Sequence, residues 1–225
     1  MPLGWKNGNL AIKNHAYMNF ISIICAAVLS LSSFQLPLFG KPSLDKYHEE
    51  ILEMSVEDNL HSPEVPGKYV EVIKDRQMSM AKFLKGKGMK VETTREGLAV
   101  VVTIPAAQLF FPNDTVLRPI ADKTLAVIGH YLKTPDFYKV LVVVHSDDTG
   151  SDSYLNGLTE SRSNAVVDWF SARDLPVSGV IPYGYGADEP IASNISRKGR
   201  ETNRRVEFYF IPGPEMIKQA KSKKL

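Results

Sequence analysis

Tyr138-Lys139-Val140-Leu141-Val142-Val143-Val144-His145, followed by Ser146-Asp147-Asp148-Thr149-Gly150, is the stretch that decides the fold of this chain. Val140 through Val144 are all apolar, and most are β-branched. That composition suits a strand covered on both faces, because an exposed face would alternate with polar residues. The polar loop behind it ends in Gly150 and leads into a second periodicity, a long helix over 151–173. Working outward, 98–104 is another apolar β-branched run. The spacing of Leu117, Ile120, Ala121, Leu125, Ile128 and Leu132 predicts a helix over 115–132, with Pro119 in its first turn. A short strand is expected over 177–185. Residues 205–210 alternate, with Val206, Phe208 and Phe210 on one face and Arg205, Glu207 and Tyr209 on the other. The sum is an α/β (α+β) sandwich with its helices packed on one face of one sheet, preceded by N-terminal helical segments.

The 225 residues are 44% apolar and 23% charged, which suffices for one well-cored domain with appendages. A net charge of +2 lacks the basic excess of a nucleic-acid binder, so no nucleic acid is expected as a partner. The single cysteine, Cys25, excludes an internal disulfide and a cysteine-based zinc site. It lies in the uncharged apolar stretch 20–39, which reads as a signal peptide, with Ser30, Ser32 and Ser33 suiting a cleavage point, or as an N-terminal membrane anchor if uncleaved. Lipid modification of Cys25 ranks third, because Ile24 stands where a small residue is wanted. Each version exports the rest of the chain to the cell envelope. Residues 40–88 read as a helical spacer. Within it, the 68–86 region carries Val70, Val72, Ile73, Met78, Met80 and Phe83, so it packs on the next domain or pairs with a second copy as a homodimer. The domain proper is expected over 89–213, and 214–225 as a frayed basic tail.

Two charged residues stand out. Asp147 sits between the end of the buried strand and a helix N-terminus, and both hold a carboxylate ionised. Arg162 follows Leu158 by four and precedes Ala165 by three, so it falls in the apolar stripe of the helix with Leu158, Ala165 and Trp169. A guanidinium pointing at a sheet needs an anion. One account is a plain Asp147–Arg162 salt bridge pinning loop to helix. The other is an anionic and a cationic group flanking a cleft for a ligand that carries both signs.

The blocks around this pair resemble a known family. Val144-His145-Ser146-Asp147-Asp148-Thr149-Gly150 and Asn156-Gly157-Leu158-Thr159-Glu160-Ser161-Arg162 are similar to the signature of the OmpA-like C-terminal domain family, shared with the MotB periplasmic domain. So are Gly184-Tyr185-Gly186, Pro190-Ile191-Ala192-Ser193-Asn194, Gly199-Arg200 and Asn203-Arg204-Arg205-Val206-Glu207, with Leu109-Phe110-Phe111 and Leu117-Arg118-Pro119 upstream. The resemblance implies a mixed sheet of βαβαβ type. It also implies non-covalent binding of peptidoglycan through diaminopimelate of the stem peptide, with Asp147 on the ammonium and Arg162 on the carboxylate. Ser146, Asn156 and Asn113 match positions near the ligand. The location implied is the periplasmic face of the envelope, associated with the outer membrane, or anchored to the inner one.

Val144 stands where the family signature has Gly, and its bulk is expected to narrow the cleft or alter the strand exit; a degenerate, non-binding domain is therefore the alternative reading. Ser146 and Thr159 replace a Thr and a Ser and keep the hydroxyl. No enzyme is expected: His145, Ser146 and Asp147 are adjacent, and adjacent residues do not assemble a triad. No cofactor or metal is expected either, since Asp147, Asp148 and Asp152 lack calcium-loop spacing. A motor stator would need an acid in 20–39, which has none. A membrane β-barrel would need about eight strands of roughly nine to eleven residues, more than 40–88 can supply.

Overall fold

The computed structural model describes residues 46–225. The signal or anchor segment, with Cys25, lies outside the described residues. The chain divides into two units, Met1–Ser55 and Val56–Leu225. The described part of the first unit holds helix α1 (Lys46–Glu53). The second unit runs α2 (Val56–His61), α3 (Val70–Gly86), β1 (Lys90–Thr94), β2 (Ala99–Pro105), α4 (Ala106–Leu109), α5 (Ala121–Gly129) and β3 (Tyr138–His145). It continues through α6 (Asp152–Ser171), β4 (Val180–Gly184), α7 (Arg197–Asn203), β5 (Arg205–Pro212) and α8 (Pro214–Lys221). No helix among the described residues is long and apolar enough to cross a membrane.

The strands form one mixed sheet in the order β1-β2-β5-β3-β4. β3 pairs antiparallel with β5 and parallel with β4. Every residue of β3 is buried, as its apolar run requires. The register aligns Val100, Phe210 and Val140 across three strands, then Val102, Phe208 and Val142, then Ile104, Val206 and Val144. These nine side chains make the face on which the long helices pack. Ile73, Met80 and Leu84 come from α3, Leu125 and Ile128 from α5, Val166 and Phe170 from α6, and Met216 from α8.

α3 is therefore a layer of the domain. Ile73 and Met80 turn to the sheet, whereas Val72, Met78 and Phe83 are exposed. The side chain of Gln77 fixes the helix by donating to the carbonyls of Leu98 (2.8 Å) and Phe210 (3.2 Å). The expected basic tail is corrected likewise. Residues 214–221 are helix α8, started by Pro214 in its first turn and held by buried Met216, Ile217 and Ala220. Apolar residues at that spacing outweigh the lysines, which point outward.

The helix expected over 115–132 starts at Ala121. Leu117 forms an antiparallel bridge with Phe110, and the Asp114 carboxylate accepts from the amides of Thr115 (2.7 Å) and Val116 (3.1 Å). These bonds hold the segment as a loop before the helix begins. The strand expected from 177 starts at Val180, whose amide is turned back to the carbonyl of Val177.

The second face of the sheet alternates as expected, yet it too is buried. Glu207 accepts from Arg205 Nε (2.7 Å) and Tyr209 Oη (2.7 Å), and His145 Nε2 lies 3.4 Å away. Helix α2 covers another part of this face: Asn59 donates to Tyr183 Oη (2.7 Å) and accepts from Lys139 Nζ (2.9 Å). Lys139 is fully buried, and burial together with the charge of Arg95 pushes its ammonium down to about 7. The unfolded chain keeps that proton up to the ordinary value of 10.5. Stability is therefore expected to rise between pH 7 and pH 10, where the unfolded state binds more protons. Urea unfolding at pH 7 and pH 9.5 checks this: the wild type should gain on the order of 2 kcal/mol more than Lys139→Met across that interval. Equal slopes would show that Lys139 does not titrate with the fold.

Candidate functional site

The site forms where β3 hands over to α6. The Ser146 amide donates to the Gly186 carbonyl (2.6 Å), which turns the chain out of the sheet. Asp147 then folds back on its own loop. Its Oδ1 accepts from the Thr149 amide (2.9 Å) and from the Thr149 hydroxyl, the turn that a short acidic side chain makes two residues ahead. Its Oδ2 accepts from Arg204 Nη1 in an ion pair. Burial pushes the carboxyl up, but the Thr149 hydroxyl and amide and the Arg204 guanidinium outweigh it and hold Asp147 below its ordinary value. Asp147 is thus an ionised, almost fully buried anion.

Helix α6 starts at Ser151, whose hydroxyl accepts from the Tyr154 amide (3.3 Å). Its buried stripe runs through Leu155, Thr159, Arg162, Val166 and Phe170, while Leu158 and Ala165 are only half-buried. Arg162 lies in the stripe, as its spacing predicted, but it does not pair with Asp147. Its Nε donates to the Asp114 carbonyl (2.8 Å), and its Nη2 to the Phe111 carbonyl (3.3 Å). The guanidinium sits over the Phe110 ring, 5.0 Å from its centroid. Burial lowers its pKa, partly opposed by Tyr154 and Asp114. Arg162 is 4% exposed and forms no salt bridge with a carboxylate among the described residues.

These groups line a pocket of about 240 Å3 with Ser146, Asn113, Phe111, Tyr154 and Arg118. Among the described residues its lining holds three guanidiniums, Arg118, Arg162 and Arg204, and one carboxylate, Asp147. Among the sequence candidates, Asp147, Arg162, Ser146 and Asn113 converge here. Asn113 acts through its backbone: a left-handed φ of 53° turns the loop so that the carbonyls of Phe111 and Asp114 face Arg162. Asn156 is elsewhere. It packs against Gly186, where an added Cβ would lie 2.3 Å from Asn156 Oδ1.

Val144 does not reach the pocket. It is fully buried on the helix side of the sheet, opposite Val206 and Gly184. Its expected narrowing of the cleft is therefore corrected. The glycine that this level of the sheet needs is Gly184, because α6 crosses it so closely that a Cβ would lie 2.3 Å from the Glu160 amide nitrogen. His145 faces Glu207 and stacks 5.4 Å from Tyr185, outside the pocket lining. No group of three His, Cys, Asp or Glu that could hold a metal occurs among the described residues. Arg204 was not among the site candidates. Its signal was the strand period, which puts it on the side of Val206 and away from Arg205.

The model described as the OmpA family matches residues 109–204, which include Asp147, Arg162 and Arg204. Residues 109–204 form an OmpA-family domain. The outer-membrane lipoprotein YfiB of Pseudomonas aeruginosa is 35% identical over 98 residues, covering 44% of this chain and 58% of that protein. The structure of the cell wall anchor of the T6SS from Pseudomonas aeruginosa superposes on the chain with a TM-score of 0.51 at 28% identity, covering 59% of this chain and 94% of that one. A putative MotB like protein from Desulfovibrio vulgaris shares the fold, with a TM-score of 0.57 at 21% identity over 63% of this chain and 94% of that one. The chain spans about three fifths of the length of the curated relatives it matches.

Proposed function

We propose that the OmpA-family domain binds peptidoglycan without covalent chemistry and so anchors an envelope membrane to the cell wall. The observation that carries this reading is Arg162, a buried guanidinium held by two loop carbonyls, with no carboxylate partner among the described residues and with a pocket before it. An unpaired buried cation costs several kcal/mol, and a ligand carboxylate offsets that cost. A planar guanidinium fixed by two of its nitrogens presents the rest of its fork in one orientation. Asp147 is the complementary acceptor for an ammonium, since an ionised carboxylate only accepts hydrogen bonds.

The ligand is therefore zwitterionic, with ammonium and carboxylate close together. The free distal end of diaminopimelate in an uncrosslinked stem peptide fits that description. Phe111, Tyr154 and Leu158 supply apolar walls for its methylene chain. Ser146 and Asn113 line the pocket within reach of the polar end. The chain acts at the periplasmic face of the cell envelope, with residues 20–39 as the membrane link if they stay uncleaved. The resemblance to a cell wall anchor and to an outer-membrane lipoprotein supports this placement.

Sedimentation with purified sacculi tests the reading. The wild type should pellet with the wall and be released by free stem peptide. Asp147→Ala should stay in the supernatant, with an affinity loss of roughly thirtyfold or more. Equal retention of both proteins would overturn the site. Degradation of the sacculi, read by zymography, would overturn the non-catalytic reading.

A further inference from the structure

The carboxylate offered to an ammonium already has an occupant. Arg204 Nη1 donates to Asp147 Oδ2, and no other hydrogen bond of this side chain occurs among the described residues. The Arg204 side chain is 38% exposed, against 2% for Asp147. The backbone of Arg204 is fixed independently of its guanidinium. Its carbonyl accepts from the Ala106 amide (2.9 Å), and its amide donates to Arg200 (3.0 Å). The guanidinium can therefore swing outward without disturbing β5. Asp147 would remain held by Thr149.

We propose that Arg204 is an internal counter-ion which the ligand's ammonium must displace, so that the site demands a free carboxylate first and an ammonium second. This rests on the zwitterion reading above. An ammonium arriving alone trades one ion pair for another. It also releases Arg204 beside Arg118 and Arg162, in a pocket whose described lining has a single carboxylate, and that trade gains nothing. A carboxylate arriving alone meets Arg162 and leaves Arg204 in place. A ligand with both groups gives Asp147 its ammonium, while its carboxylate takes Arg162 and the released Arg204 together. The domain then distinguishes cell walls by amidation. Converting the distal carboxylate of the stem peptide to a carboxamide blinds the site, whereas blocking the distal amine only weakens it.

Calorimetric titration of the full chain tests this with three forms of the tetrapeptide L-alanyl-γ-D-glutamyl-meso-diaminopimelyl-D-alanine. Only the distal diaminopimelate carbon of this probe carries ammonium and carboxylate together. Acetylating the distal amine should weaken binding about tenfold, and amidating the distal carboxylate more than about a hundredfold. In Arg204→Gln the amidated peptide should come within about tenfold of the unmodified one, because Asp147 is then free to accept an ammonium. Arg204→Lys, which keeps the counter-ion, should preserve the wild-type ranking. The inference is overturned if the wild type binds the amidated peptide within about threefold of the unmodified one, or if Arg204→Gln leaves their ratio unchanged. Binding of the unmodified peptide with the two modifications ranked in reverse overturns it while leaving the zwitterion site standing. Failure of the wild type to bind any of the three overturns both.

Discussion

Arg162→Ala is expected to abolish wall retention while leaving the domain folded. The two halves of this expectation come from different terms. On the binding side, removing one partner of a buried, hydrogen-bonded charge pair costs about 2–5 kcal/mol, a loss of roughly thirtyfold to several-thousandfold. On the folding side, two effects oppose each other. The Asp114 carbonyl loses the Arg162 donor, at about 1–3 kcal/mol if it is left unsatisfied, while the Phe111 carbonyl keeps the Asp114 amide (3.2 Å). Against this, a buried cation without a carboxylate partner among the described residues disappears, and water entering the pocket can satisfy the carbonyls. The net change in stability should stay within about 2 kcal/mol, or roughly 4–8 °C in Tm for a domain of this size. Arg162→Lys sharpens the test. An ammonium cannot serve both carbonyls and present a planar fork to a ligand, so at least about a tenfold loss remains although the charge is kept. Thermal unfolding and sedimentation with sacculi, run on the same preparations, separate the terms. Wild-type retention by Arg162→Ala would remove Arg162 from the site. An unfolded Arg162→Ala would make it a structural residue.

The second large effect belongs to the other face of the sheet. Glu207→Gln is expected to destabilise the domain by about 3 kcal/mol at pH 7 and to remove most of its acid sensitivity between pH 4.5 and pH 2. Burial pushes the Glu207 carboxyl up, but the His145 imidazole 3.4 Å away, hydrogen bonds from Arg205 and Tyr209 and the charge of Arg205 bring it down to about 2 from 4.5. A carboxylate whose folded value is depressed stabilises the fold fully above its unfolded value. It loses that contribution as the pH falls through the folded value. The wild type should therefore weaken progressively over that window, and Glu207→Gln should start weaker and change little. Arg205, almost wholly buried, keeps only carbonyl partners in the variant, which adds to the cost. Denaturant unfolding at pH 7 and pH 4 measures both quantities. A loss below about 1 kcal/mol at pH 7 would mean that this buried network contributes little to stability. Retention on sacculi, measured where the variant is folded, should be unchanged, because Glu207 is not among the residues lining the pocket.

The correction at Val144 shows how a family pattern can mislead about cause. A valine in place of a signature glycine looked like an obstruction of the cleft. The register instead places it in the core against Val206 and Gly184, and the close approach of α6 falls on Gly184. The observation that motivated a degenerate, non-binding domain therefore has no contact with the pocket.

Periodicity by itself determined much of this protein. The run from Val140 to Val144 required a strand buried on both faces, and the alternation at 205–210 required a second strand with one apolar face. The 3.6-residue spacing placed Arg162 on the buried side of its helix. These are local statements, because a strand or helix reports which side of itself is apolar within a few residues. What the pair Asp147 and Arg162 does to each other was not legible, since spacing along the chain favoured a plain salt bridge and left a ligand clamp as the alternative. Tertiary structure decided it by bringing in distant partners. Arg204 takes Asp147 from 57 positions away, and the carbonyls of Phe111 and Asp114 take Arg162 from 51 and 48. Tertiary packing likewise made a helix of the lysine-rich end and a sheet-covering layer of α3, because each needed an apolar surface that only the assembled sheet provides. Sequence named the two charges of the site. The fold separated them, and that separation leaves Arg162 without a counter-ion among the described residues.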